Sequence, residues 1–156
     1  MSDLLPDNTL TRLKTLPVVI ETNEALREFS AILASAPVVA VDTEADSLHC
    51  YKEKLCLIQI SVPGYDEIVD PLAPISMEPL AAALADKEMI VQGADFDLRM
   101  LRRANITVAS VFDTLIAAKL IGETDVGYGA LVKNFLGVEL AKGSQKASHT
   151  RNEVHT

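Results

Sequence analysis

The sequence predicts an α/β fold, a mixed sheet flanked by helices, and two observations lead to it. Apolar, β-rich segments at 38 to 42, 55 to 62 and 67 to 70 follow one another, with Pro63-Gly64 before the last of them. They predict an antiparallel meander. Beyond Pro71, short strands alternate with helices, and a meander followed by such alternation is typical of a mixed sheet with helices on its faces.

Hydrophobic periodicity predicts the elements before the meander. The segment "VVIET" at 18 to 22 indicates a short strand, and residues 23 to 36 indicate a helix. Either Thr22 or Asn23 is suited to the helix N-cap. The apolar residues at helical spacing are Leu26, Phe29, Ile32 and Leu33.

After the meander, predicted helices and strands alternate to the end of the regular pattern. The predicted strands span 89 to 93 and 111 to 114, and the predicted helices span 77 to 86, 96 to 104, 115 to 122 and 128 to 137. Gly137 is expected to end the last helix. We expect an irregular lead-in at 1 to 16, one domain from 17 to 148, and a polar tail from 149 to 156.

Composition fits one domain with a sizeable aliphatic core. The chain has 156 residues, of which 49% are hydrophobic and only 4% aromatic. No segment reaches the roughly 18 uncharged residues that a membrane-spanning helix needs. The N-terminus lacks the pattern of a signal peptide, so we expect a cytoplasmic protein without membrane contact.

Charge and cysteine content exclude some classes of protein. A net charge of -8 argues against nucleic-acid binding through a broad basic surface, but it allows an enzyme in which bound metal supplies the positive charge. Cys50 and Cys56 match no common zinc-ligand spacing and are expected to be free thiols.

Clustered acids follow the buried-looking strand at 38 to 42. Asp42 and Glu44 should share one face, because side chains two apart in a strand point the same way. Two adjacent carboxylates repel each other unless a cation such as Mg²⁺ lies between them. Acids at a strand end are also typical of solvated loops, as we expect for Asp46, so the pair alone leaves both interpretations open.

A third acid, Asp97, strengthens the metal interpretation. It lies near the start of the helix predicted after the buried strand at 89 to 93. An acid in the first turn of a helix is also favoured by the helix dipole, so Asp97 by itself is ambiguous. The combination of a strand bearing Asp-x-Glu with a later strand and a helix bearing Asp is more specific.

These segments together resemble the ribonuclease D group of the DEDD 3′-5′ exonuclease superfamily. The resemblance runs from about Val18 to Ser148, and it implies a ribonuclease H-like fold. The segments that carry it are "VVAVDTEADS", "LCLIQIS", "IVDPL", "VQGADFDLRML", "VFDTLIAAKLIG" and "YGALVKNFLGVELAKGSQKAS".

The resemblance implies a catalytic site and a cofactor. Asp42, Glu44 and Asp97 match the family's first three metal ligands, which hold two divalent ions, Mg²⁺ or Mn²⁺, roughly 4 Å apart. Thr43 and Gln145 are expected to contact substrate. The implied reaction is hydrolysis of phosphodiesters from the 3′ end of RNA, transfer-RNA precursors included, or of single-stranded DNA.

The sequence departs from the family's pattern after Gln145. The family's last helix carries Tyr-x-x-x-Asp or a His variant, whereas this sequence continues as "HTRNEVHT". His149 and Glu153 stand four apart, but we expect them to be surface residues. Gly93 also stands where many relatives have His. These departures predict a poor exonuclease, with a homodimer formed through the apolar surface that the helix would cover.

Two other classes of protein compete with the exonuclease. A non-catalytic module that binds nucleic acid or protein would keep the same fold without the last helix. A phospho-receiver domain would need a regular βα alternation and a lysine after its fifth strand, and the sequence shows neither. Asp113 recurs in the family's pattern, but the resemblance gives it no metal.

Overall fold

The computed structural model describes residues 17–46 and 53–140. Within these residues six strands form one mixed sheet in the order β1-β4-β3-β2-β5-β6. They are β1 (Val18–Ile20), β2 (Val38–Asp46), β3 (Lys54–Val62), β4 (Tyr65–Val69), β5 (Glu88–Val91) and β6 (Ser110–Asp113). The α/β class and the central position of the 38 to 42 segment are confirmed.

The antiparallel half of the sheet is the predicted meander. β2 pairs with β3, and β3 pairs with β4 across the turn at Pro63-Gly64. β2 continues to Asp46 rather than ending at Asp42, because its pairing with β3 persists through the acidic residues and passes a bulge at Glu44/Ala45. Asp42 and Glu44 therefore lie within a strand, and the strand fixes the direction of their side chains.

The parallel pairs were not all predicted. β5 pairs with β2 and β6 pairs with β5, as strand and helix alternation requires. β1 pairs in parallel with β4 at the far edge of the sheet. Sequence periodicity predicts that a strand is present but carries little information about its partner.

Helices lie between and after the strands along the chain. Their bounds are α1 (Asn23–Ala34), α2 (Glu78–Leu84), α3 (Asp95–Arg103), α4 (Thr114–Leu120) and α5 (Tyr128–Leu131). Thr22, rather than Asn23, caps α1, because its Oγ1 accepts the Ala25 N–H at 3.2 Å. The Asn23 side chain instead accepts the N–H of Ser76 at 2.8 Å.

The hydrophobic core is aliphatic, as the composition predicts. α1 contributes Leu26, Phe29 and Leu33 to it, and α2 contributes Leu80 and Leu84. Among the described residues no helix is long and apolar enough to cross a membrane.

The chain divides into two compact units, one ending at Ala117 and the other beginning at Ala118. In the second unit α5 continues into a π-helical segment, Val132–Leu136, so the predicted single helix has two geometries. Gly137 follows it with a φ of 70° and ends it as predicted.

Several predictions fall outside the described residues. They concern the lead-in at 1 to 16, the tail at 149 to 156, Cys50, Gln145, and the pair His149 and Glu153. Cys56 is described and is a free thiol, as predicted.

Candidate active site

Alternation along β2 places its acids and its threonine on opposite faces. Asp42 and Glu44 are exposed, whereas Thr43 between them is only 5% exposed. The predicted common face of Asp42 and Glu44 is therefore present.

Asp97 lies beside the part of β2 that does not pair with β5. The parallel pairing of β2 with β5 covers Val38 to Ala40, and the chain after Val91 turns through Gly93 into α3. The N–H of Thr43 donates to Asp97 Oδ1 at 2.9 Å, and the Thr43 hydroxyl donates to the same oxygen at 2.6 Å. Asp97 is 5% exposed, so these two donors compensate the burial of its carboxylate.

The three acids influence one another electrostatically. Loss of hydration raises the pKa of Asp42 above its ordinary value, and the negative charges of Asp97 and then Glu44 raise it further. A hydrogen bond with the Thr43 backbone acts in the opposite direction but does not cancel the rise. The site therefore carries negative charge that the surrounding protein does not neutralise.

The three carboxylates are chemically suited to bind a hard divalent cation. Carboxylate oxygens are the ligands that Mg²⁺ and Mn²⁺ prefer, and the negative charges of Asp97 and Glu44 add to the burial that raises the pKa of Asp42. In the described part of the chain, however, no three Asp, Glu, His or Cys side chains lie in an arrangement that could hold a metal ion. The acids fit the ion in charge and donor type, while their side chains do not surround a common point.

Sequence reasoning assigned Thr43 to substrate, and the structure directs its side chain elsewhere. The Thr43 hydroxyl is buried and donates to Asp97. A contact between Thr43 and the substrate stays a prediction. Its role as the partner of Asp97 was missed, because strand alternation shows only that Thr43 points inward and not which residue meets it.

Gln59 is a neighbour of the site that only the strand register reveals. It lies opposite Asp42 in the β2–β3 pair, and both residues are exposed. Directly opposite residues in an antiparallel pair are close enough for their side chains to interact. The exposed amide of Gln59 is therefore available beside the Asp42 carboxylate.

The fold and the acids together define a class of protein. The chain belongs to the 3′-5′ exonuclease family, whose model matches residues 17–155. Within it the resemblance to ribonuclease D is confirmed: the chain is 34% identical to ribonuclease D of Sphingobium indicum over 143 residues, which are 87% of this chain and 37% of that protein.

Two further proteins extend the comparison. The exosome complex component 10 homolog of Drosophila melanogaster is 32% identical over 83% of this chain and 15% of its own length. Escherichia coli RNase D, an exoribonuclease involved in structured RNA processing, superposes with a TM-score of 0.77 at 26% identity, over 89% of this chain and 39% of that one. The chain thus spans well under half the length of these proteins.

Replacing Asp42 with Asn is expected to raise the free energy of unfolding at neutral pH when a chelator is present. The folded-state pKa of Asp42 lies above its ordinary value of 3.8, so the ionised form opposes folding and the amide removes that charge. The gain should be full above the raised pKa and should vanish below pH 3.8, where Asp42 is protonated in both states. Urea unfolding across this pH range measures it.

Asp66→Asn, an equal change of charge at an exposed position on β4, is the control for Asp42→Asn and measures the effect of the lost charge alone. A loss of stability in Asp42→Asn at neutral pH would contradict the electrostatic account of the site.

Thr43→Val should destabilise the fold by about 1–3 kcal/mol, because the buried Asp97 carboxylate loses a hydroxyl donor while the shape of the side chain is kept. Thr43→Ser retains the hydroxyl and should lose less. Chemical denaturation of the two variants gives the comparison. A larger loss in Thr43→Ser than in Thr43→Val would mean that packing of the methyl group, and not the hydrogen bond, makes Thr43 important.

Proposed function

We propose that this chain is a metal-dependent 3′-5′ exonuclease domain that hydrolyses phosphodiesters from the 3′ end of RNA. The observation that carries the proposal is that Asp97, from a distant part of the chain, lies beside the two acids of β2. Asp97 of α3 accepts a hydrogen bond from Thr43, which lies between Asp42 and Glu44. Loss of hydration, and then the charges of Asp97 and Glu44, raise the pKa of Asp42. Structural ion pairing does not account for this arrangement, since the acids repel one another.

In this proposal Asp42, Glu44 and Asp97 hold two divalent ions, Mg²⁺ or Mn²⁺. When bound, such ions supply the positive charge that activates a water molecule and stabilises the leaving 3′ oxygen. The chain's own residues contribute orientation: Thr43 fixes the Asp97 carboxylate, and β2 holds Asp42 and Glu44 on one face. The exposed amide of Gln59 is positioned to donate to a phosphate oxygen of a strand that lies on this face.

The proteins to which the chain is similar support RNA as the substrate. Escherichia coli RNase D is an exoribonuclease involved in structured RNA processing. We propose RNA 3′ ends, transfer-RNA precursors among them, before single-stranded DNA. Contacts from Thr43 and Gln145 to the substrate, a cytoplasmic location and a homodimer remain parts of the proposal that rest on the sequence.

The outer face of α3 supports nucleic-acid binding in an otherwise acidic protein. A recess of about 420 Å³ is lined by Arg99, Arg102 and Arg103 together with Asp95 and Leu98. Arg103 pairs with Glu53, whereas among the described residues no carboxylate lies within ion-pair distance of Arg99 or Arg102. Exposed guanidinium groups that are free of carboxylates are suited to phosphate oxygens.

A second candidate function is a non-catalytic binding module on the same fold. The arrangement of the acids favours it, because the described residues hold no three ligands in a metal-holding geometry. Such a module would bind nucleic acid through α3 without hydrolysing it.

The activity test uses a 5′-labelled single-stranded RNA and the corresponding DNA, each incubated with the chain in Mn²⁺, in Mg²⁺ and in a chelator. We expect metal-dependent shortening from the 3′ end, faster on RNA, with release of nucleoside monophosphates. Asp42→Asn should lower the rate by about 100-fold or more, because a displaced ion misaligns the attacking water. Calorimetric titration should show Mn²⁺ binding that the same variant weakens.

Equal Mn²⁺ binding by the wild type and Asp42→Asn would place the metal elsewhere. RNA binding without hydrolysis, at any metal concentration, would instead favour the binding module.

The arginine face makes a separate prediction. Arg99→Gln combined with Arg102→Gln should weaken RNA binding and should reduce the slope of log affinity against log salt by roughly one for each phosphate group that the variant no longer binds. Arg27→Gln combined with Lys119→Gln, an equal change of charge at exposed positions on α1 and α4, is the control. Fluorescence anisotropy in a chelator measures binding without hydrolysis; an unchanged slope would remove this face from the proposed binding surface.

A further inference from the structure

Asp113, the last residue of β6, accepts hydrogen bonds from two separate parts of the backbone. Its Oδ1 accepts the Gly93 N–H at 3.0 Å and the Leu115 N–H at 2.9 Å. Its Oδ2 accepts the Ala94 N–H at 2.8 Å. One carboxylate therefore joins the turn between β5 and α3 to the start of α4.

The neighbouring residue, Thr114, reinforces the same junction. Its hydroxyl donates to the Val91 carbonyl at 2.9 Å and contacts the side-chain amide of Gln92. Together, Asp113 and Thr114 contact every residue from Val91 to Ala94. The "FDT" segment therefore contacts the turn between β5 and α3, although the resemblance implies no metal ligand at Asp113.

The β5–α3 turn needs this support from outside. Gly93 has a φ of 81°, and Ala94, the N-cap of α3, has no side chain that can cap the helix. The carboxylate of Asp113 instead holds the backbone N–H groups of Gly93 and Ala94, immediately before the first residue of α3. The carbonyl of Ala94 then accepts the first hydrogen bond of α3, from Leu98 N–H at 3.0 Å.

We propose that Asp113 is a positioning residue, which holds the β5–α3 turn so that Asp97, in the first turn of α3, reaches Thr43 beside Asp42. The sequence of contacts is continuous: Asp113 fixes Gly93 and Ala94, Ala94 begins α3, and α3 carries Asp97 to the Thr43 N–H. Asp113 does not touch the reacting atoms.

The ionisation of Asp113 is consistent with this role. Partial burial by itself raises its pKa, but the backbone donors at Ala94, Gly93, Leu115 and Ile116 outweigh that effect and hold the pKa below its ordinary value. Asp113 is thus a carboxylate throughout the neutral range, able to accept from both parts of the backbone at once.

The test compares hydrogen exchange at two places in the metal-free protein without RNA. In Asp113→Ala, the Thr43 amide should exchange about tenfold faster relative to the amides of the β3–β4 ladder, because the contact with Asp97 opens locally. Asp113→Asn keeps one acceptor oxygen and should show a smaller increase. If the alanine variant does not fold, Asp113→Asn alone provides the measurement.

Ile20→Val is the matched control, since it trims the core at the far edge of the sheet and lowers stability without touching the turn. It should accelerate the Thr43 amide and the β3–β4 amides by a similar factor. If the Asp113 variants behave in the same way, Asp113 contributes only to overall stability and the proposal is overturned.

A functional readout rests on the proposed exonuclease activity and is kept separate. Asp113→Asn should lower kcat about tenfold or more with little change in KM, because it displaces Asp97 without touching RNA. A change confined to KM would contradict the positioning role. If the wild-type chain does not hydrolyse RNA, the proposed function fails, while the metal-free exchange measurement still decides the role of Asp113.

Discussion

The buried carboxylate of Asp97 is the contact on which the site depends. Where β5 turns away from β2, the N–H of Thr43 would be left in the interior without a strand partner, and a buried unpaired N–H is costly. Asp97 satisfies it and also accepts the Thr43 hydroxyl. Where β2 and β5 separate, a charged side chain thus takes the place of a strand partner. Its negative charge lies close to Asp42 and Glu44.

Charge is unevenly distributed around Asp97. Burial, and then the charges of Asp97 and Glu44, raise the pKa of Asp42, whereas the outer face of α3 carries arginines. One short helix therefore presents a carboxylate inward and guanidinium groups outward. For the proposed binding of a polyanion by an acidic protein this separation is useful, since cations are required where phosphate is to be held and the acids can serve where metal is to be held.

The parallel half of the sheet supports the site through the β5–α3 turn. β6 ends in Asp113, which binds the backbone of the β5–α3 turn, and that turn begins the helix bearing Asp97. The antiparallel half contributes differently, because pairing with β3 keeps β2 extended to Asp46. Strand register then places Gln59 opposite Asp42. The antiparallel half accordingly holds Asp42 and Glu44, whereas the parallel half supports Asp97 through the β5–α3 turn.

The sequence by itself determined the α/β class, the meander, a helix start at Thr22 or Asn23, the helix end at Gly137, and the common face of Asp42 and Glu44, because these follow from local periodicity and local backbone preference. Only the tertiary structure decided that Thr43 binds Asp97, that Gln59 faces Asp42, that β1 joins β4, and that Asp113 supports the turn at Gly93. Those contacts join residues far apart in the chain, and their partners depend on strand order and register, which local patterns do not specify.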